Sequence, residues 1–292
     1  MPLAYRMGGV GLCVAELQHA LGVAADGIFG PQTRDAVERV ERSIGREPSG
    51  DADAAVFSAC GLEWPDEFRR CLTLTSAFEG TGFGDCNPTD TDGAGVTFGI
   101  IGFTTEHGEV QELVTEFLRH APEALEYAPR SFRRRLEQLL LRDSDRHVWE
   151  RVMLDPMRRV RPEVRASFAA WGNHPQMREL QVRFARERCW HPAAACAKKL
   201  GVESPTGRGL LFDVWVQNGG WRAAHETHFA RLMRDRDAPP ASKSRLEVIA
   251  IAVAAESRAP WRADVLGRKL VFARGWGIVH RRSYDLTLQA LA

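Results

Sequence analysis

From Pro65 onward the chain repeats one pattern, with apolar residues returning every three to four positions over stretches of roughly ten, set apart by Gly, Pro, Ser and Asp. The spacing predicts helices near 66–79, 108–120, 130–141, 145–155, 161–171, 175–188, 192–200, 207–217, 222–234, 242–257 and 261–273. So many short helices leave no length for a large sheet, and the fold class expected is mainly α. One stretch breaks the pattern. Residues 80–103 are first rich in Gly, Thr and Asp and then apolar and β-branched, which predicts a loop and a short β-hairpin inserted between helices. No internal repeat and no low-complexity tract is present.

A length of 292 residues suggests one or two domains, and a hydrophobic content of 44% can build a sizeable core. A net charge of +1 gives no electrostatic footprint for nucleic acid or an acidic membrane surface. Apolar runs such as 248–255 are far too short to span a bilayer. The opening Met-Pro-Leu-Ala-Tyr-Arg-Met-Gly-Gly lacks a charged region followed by an apolar run, so no signal peptide is expected. The six cysteines (Cys13, Cys60, Cys71, Cys86, Cys189, Cys196) contain no CxxC pair, which argues against a zinc ribbon or a thioredoxin-type site. Three disulfides and six reduced core thiols both remain open. His225-Glu226-Thr227-His228 spaces its histidines three apart rather than the four of a helical zinc motif, and reads as a solvated helix face. Cys189 and His191 are too close along the chain to form a nucleophile–base pair easily. The basic runs 133–135 and 158–165 read as solvated faces, and Trp171, Trp190, Trp215 and Trp221 read mainly as core. No metal and no cofactor is expected.

The first sixty residues have a separate grammar. Residues 14–21 form a short amphipathic helix with Val14, Leu17 and Leu21 on one face. The turn Asp26-Gly27-Ile28-Phe29-Gly30-Pro31 follows, with Pro31 suited to the first turn of a second helix over 31–44. Ala36, Val37, Val40 and Ile44 are expected to face inward there, Gly45 to end the helix, and 50–60 to form a third. Leu17-Gln18, Leu21-Gly22, Asp26-Gly27-Ile28-Phe29-Gly30-Pro31-Gln32-Thr33, Ala36-Val37 and Gly45 together resemble the three-helix peptidoglycan-binding domain. Two features depart from that family: Val40-Glu41 stands where Phe-Gln is usual, and Ser49-Gly50-Asp51 replaces a second Asp-Gly turn. Glu63-Trp64-Pro65 is the expected boundary, giving a binding domain over 1–64 and a second domain over 65–292.

Glu79 ends the apolar helix that contains Leu72-Thr73-Leu74-Thr75-Ser76-Ala77-Phe78. A carboxyl near a helix C-terminus and near Phe78 and Phe83 is expected to favour its neutral form, as a general acid requires. Asp92 lies thirteen residues later on a polar, Gly-rich segment where ionisation is favoured. A neutral and an ionised carboxyl facing one another across a cleft suit glycoside hydrolysis, and Thr97 could hold the attacking water against Asp92. Asp85 and Asp90 compete for the base role but lack the Gly-x-Gly-x-Thr that follows Asp92.

Asp92-Gly93-Ala94-Gly95-Val96-Thr97-Phe98-Gly99-Ile100-Ile101-Gly102-Phe103 resembles the chitosanases of glycoside hydrolase family 46, within the lysozyme superfamily. The resemblance implies a two-lobed, lysozyme-like α domain with a small β-hairpin region at the active-site cleft. It implies Glu79 as acid, Asp92 as base and Thr97 as the residue that positions water. It continues through Gly108-Glu109-Val110-Gln111-Glu112-Leu113-Val114, where Glu109 could pair with a glucosamine ammonium. Downstream it places Asp213 and Arg262 in a charge network behind the acid. Ala94 and Val96 depart, standing where the family has Arg and Tyr.

Three functions follow. The leading one is an inverting hydrolase of β-1,4 bonds in peptidoglycan, a monomer without nucleic-acid or membrane partners, made in the cytoplasm and acting at the cell wall after release or secretion. The alternatives are a chitosanase with an anchoring module, and a wall-binding protein without catalysis, against which the retained Glu79, Asp92 and Thr97 argue.

Overall fold

The computed structural model describes residues 2–80, 82–91, 93–141, 145–234 and 242–291, without the side chains of 242–244. The protein is mainly α, as expected. In chain order it runs α1 (Leu12–Ala20), α2 (Pro31–Ser43), α3 (Ala54–Ala59), α4 (Glu67–Glu79), β1 (Thr97–Phe98), β2 (Phe103–Thr104), α5 (Glu109–His120), α6 (Arg130–Leu140), α7 (Arg146–Met153), α8 (Pro162–Trp171), α9 (Pro175–Ala185), α10 (His191–Leu200), α11 (Pro205–Asn218), α12 (Ala223–Arg234), α13 (Ser242–Ala255), α14 (Arg262–Arg274), β3 (Trp276–Val279) and β4 (Arg282–Asp285). Short 3₁₀ turns and one π turn, Arg186–Trp190, fill several of the joints. The chain groups into two compact units, Met1–Phe78 with Arg186–Ala292, and Glu79–Ala185. No described helix is long and apolar enough to cross a membrane.

In the first unit, α1 to α3 surround an apolar cluster of Tyr5, Val14, Leu17, Phe29, Val37, Val56 and Phe57. Ala290, from the other end of the chain, completes that cluster. Gln289 seals it from above, since its Oε1 accepts from Val10 N at 3.2 Å. The turn after α1 is locked by Gln18, whose Nε2 donates to Asp26 Oδ1, Ile28 O and Thr33 Oγ1 at 2.9 Å and whose Oε1 accepts from Gly27 N at 2.8 Å. Gly27 has φ +71°, a conformation that costs glycine nothing. The two departures from the peptidoglycan-binding pattern prove to be partners. Buried Glu41 accepts from Ser49 Oγ at 2.6 Å, Ser49 N at 2.7 Å and Gly50 N at 2.8 Å, so its carboxylate seats the Ser-Gly-Asp turn. Ile44, expected inside, is exposed: α2 stops at Ser43, and Ile44 serves as the C-cap beyond the buried face.

Besides α4, the rest of this unit is an α10–α14 bundle that ends in the β3–β4 hairpin, which sequence reasoning left unassigned. The hairpin pairs Trp276 with Asp285 and Val279 with Arg282. The Tyr284 hydroxyl donates to Ala77 O at 3.1 Å, and its ring meets Phe78 edge-on at 4.9 Å. The six cysteines are free. Burial pushes the Cys86 thiol up to about 12 and the Cys196 thiol to about 11, as inert core thiols require.

Within the His225–His228 stretch, His225 departs from the solvated face expected. His225 is fully buried, and its Nδ1 accepts from Arg222 N at 3.1 Å. Burial first, and then the Arg222 guanidinium, push its pKa from 6.5 down to about 4. Between those values the unfolded chain takes up a proton that the folded chain refuses. The stabilisation from neutral His225 is therefore complete above pH 6.5 and lost as pH falls toward about 4. Thermal unfolding followed from pH 7 to 4.5 is expected to show a smaller loss in His225→Gln than in the wild type; equal losses would contradict this.

Candidate active site

Helix α4 owes its start to Asp66, whose Oδ1 accepts from Arg69 N at 2.8 Å. Phe68, Cys71, Leu72, Leu74 and Phe78 are buried, as are the small polar residues Thr73, Thr75 and Ser76, so the helix is enclosed on nearly every side. Gly80, at φ +65°, ends it. Glu79, its last residue, is half-buried and opens the second unit. Phe83, expected beside it, lies under the Arg178 guanidinium, 5.3 Å from the ring centre.

The second unit builds the β1–β2 hairpin on an apolar floor. Phe98 packs on Phe168 at 4.2 Å, and Phe103 meets Phe184 edge-on at 6.4 Å. Gln181 pins the hairpin turn, accepting from Ile100 N at 3.0 Å and donating to Phe83 O at 2.8 Å. A Cβ on Gly99 would lie 2.3 Å from the Gln181 Oε1, so only glycine fits there. The register sets Thr97 opposite Thr104. Thr104 N in turn donates to Glu109 Oε2 at 3.0 Å, so Glu109 caps the hairpin from the first turn of α5. Thr97 and Glu109 thus belong to one small construction.

Asp92 lies outside the described residues, but its neighbours are held by charges that sequence reasoning did not group. Asp90 exposes 2% of its side chain, and its Oδ2 accepts from Arg158 Nε at 2.9 Å. Its Oδ1 accepts from Gly93 N at 2.8 Å. Arg158 also donates through Nη1 to Glu150 Oε2 at 2.9 Å. The other oxygen of Glu150 accepts from Arg146 Nε at 2.5 Å, and Arg146 Nη2 reaches Gly93 O. Burial works against ionisation of both carboxyls, but the guanidinium partners outweigh it and hold Asp90 and Glu150 below the usual range. A buried, ion-paired Asp90 is no candidate base. Asp85 is exposed, and its Oδ2 accepts from Gly82 N at 2.6 Å.

In the first unit Asp213 is fully buried on α11 between two cations of α14. Arg268 donates to its Oδ1 through Nη2 at 2.6 Å and Nε at 3.2 Å, and Lys269 Nζ stands 2.7 Å from Oδ2. Lys269 also donates to Gln217 Oε1 at 2.5 Å, and Gln217 Nε2 donates to Asp264 Oδ2 at 2.7 Å. Arg262 is not in this network. It is exposed at the start of α14, with Nη2 donating to Ala255 O at 3.2 Å and to Ser257 O at 3.4 Å. Six residues along a helix turn by about 240°, which takes Arg262 off the face that Arg268 presents to Asp213. Arg268 fills the place expected for Arg262.

The family model described as glycosyl hydrolase family 46 matches residues 89–245, more than half of the chain. The protein is a glycoside hydrolase. The chain belongs to glycosyl hydrolase family 46. Solved structures agree in fold. A family 46 chitosanase from Gynuella sunshinyii in complex with chitotetraose aligns with a TM-score of 0.54 at 19% identity, over 77% of this chain and 99% of its own. The native chitosanase from Bacillus subtilis MY002 gives 0.55 at 18% identity, over 75% and 98%. A mutant of the latter complexed with 6 GlcN gives 0.56 at 17%, over 75% and 98%. No curated protein matches the chain in sequence.

Proposed function

We propose that this hydrolase cleaves β-1,4 bonds of a glucosamine-rich polymer of the chitosan kind. Glu79 protonates the leaving oxygen, and Asp92 deprotonates a water positioned by Thr97. The observation that carries the reading is the family match, which runs through Asp92, Thr97 and Glu109 together. Support for the substrate comes from the similar structures, described as chitosanases holding chitotetraose or 6 GlcN. The Glu109 carboxylate adds an anion suited to an ammonium group. Asp213, held by Arg268 and Lys269, is read as a structural charge of the first unit.

Peptidoglycan, the leading expectation from sequence, becomes the second reading. What favours it is the Asp26–Thr33 turn, which carries the resemblance to a peptidoglycan-binding domain and which Gln18 holds through Asp26 and Thr33. On either reading residues 1–64 are a binding module that raises the local concentration of polymer. Ala94, in place of the Arg that the family resemblance implies, sets the sugar contacts apart on both. Purified protein digested in parallel with soluble chitosan and with peptidoglycan sacculi, products read by mass, separates the two. Glucosamine oligomers from chitosan and no muropeptides are expected; muropeptides alone would reverse the order.

A further inference from the structure

The geometry points to Glu150 as a positioning residue for hydrolysis, the centre of an ionic clamp that fixes the segment on which Asp92 is carried. This rests on the reading of Asp92 as base. The clamp grips both sides of residue 92. Upstream, Asp90 is held by Arg158 side chain to side chain, and its N–H donates to Arg158 O at 2.9 Å. Downstream, Gly93 is held at both polar groups, by Asp90 Oδ1 on its N–H and by Arg146 on its carbonyl. Thr105 continues the grip: its Oγ1 donates to Glu150 Oε1 at 3.2 Å and accepts from Val96 N at 3.0 Å, and its N–H donates to Val96 O at 3.0 Å. Glu106 N donates to Ala94 O at 3.1 Å. Glu150, with 5% of its side chain exposed, joins Arg146, Arg158 and Thr105.

Two further observations show that the arrangement is tightly determined. Gly95 sits at φ +79°, and a Cβ there would lie 2.0 Å from Thr105 Oγ1 and 2.5 Å from Glu150 Oε1. Arg158 itself is a non-glycine residue at φ +60°, a costly conformation that the surrounding bonds sustain. The two carboxylates are almost wholly removed from solvent, while Arg146 and Arg158 keep 31% and 47% of their side chains exposed. The charges supply directional bonds to named backbone atoms around residue 92.

A base displaced by about 1 Å can cost about 10²-fold in rate. The test is a double-mutant cycle on kcat with a soluble glucosamine oligomer. Glu150→Gln is expected to lower kcat at least about tenfold with KM changed less than about threefold. It is also expected to shift the limb of the pH–rate profile that belongs to the base. In an Asp92→Asn background the same substitution should cost less than about threefold, because the group it positions is already gone. An equal cost in both backgrounds, or a wild-type kcat in Glu150→Gln, overturns the proposal. Should Glu150→Gln fail to fold, Gly95→Ala and Arg158→Lys enter the same cycle with the same criteria. A wild-type rate in Asp92→Asn alone would remove the base reading itself, and the proposal would fall for that reason rather than through any fault in the clamp.

Discussion

Glu79→Gln is expected to abolish turnover while leaving polymer binding and thermal stability near wild type. The substitution keeps shape and removes only the transferable proton. General acid–base catalysis contributes about 10²–10⁴-fold. With a poor leaving group such as a sugar alkoxide, the upper part of that range is expected. The side chain is half-buried at the end of a helix whose other residues are largely buried, so the amide has a fixed place to occupy. Rates on a soluble oligomer, together with co-sedimentation on insoluble polymer, read both halves of the prediction. A kcat within a few fold of wild type would remove Glu79 from the mechanism.

Asp213→Asn is expected to be the most damaging substitution for stability. Asp213 is fully buried, with Arg268 and Lys269 also almost wholly removed from solvent. Burial opposes its charge, yet Arg268 and then Lys269 outweigh that and hold its carboxyl below the usual range. Its stabilising effect is therefore present above the ordinary carboxylate range and lost as pH falls through the lowered value. Asparagine would remove the carboxylate that both buried cations address. Removing one partner of such a buried pair costs about 3–5 kcal/mol. At about 2–4 °C per kcal/mol for a chain of this size, Tm should fall by roughly 6–20 °C. Asp35→Asn, which breaks an exposed pair with Arg34, is the control and should move Tm by less than about 2 °C. A Tm for Asp213→Asn within 2 °C of wild type would mean that the network does not hold α11 to α14.

The helices were legible because each buries a face at helical spacing; α4 and α5 begin and end within a residue of where their patterns do. The β1–β2 hairpin was legible from its Gly and β-branched residues. The C-terminal hairpin was not, because its apolar alternation points outward: Trp276 and Ile278 are exposed and Gly277 faces α14. At the site, local motifs were readable and long-range pairing was not. Asp90 and Arg158 are 68 residues apart, and neither carries a signal that names the other. Arg158 sat in a basic run that looked like a solvated face. Arg262 was expected in the Asp213 network for a related reason: the sequence places arginines at 262 and 268 of one helix, and only packing shows that Arg268 meets Asp213. His225 was misread because a helix face can alternate between buried and exposed every few residues; His228, three positions on, is half-buried and pairs with Glu256 at 2.8 Å.

In the proposed two-carboxylate hydrolysis water, rather than Asp92, attacks the sugar. A water between base and ring requires carboxyls about 6.5–9.5 Å apart, and a covalent route about 5–5.5 Å. The two differ in one observable. Proton NMR of a β-linked glucosamine oligomer in the first minutes of digestion, before mutarotation mixes the anomers, is predicted to show the α-anomer as the initial product. The β-anomer at the earliest times would contradict the account and make Asp92 a nucleophile.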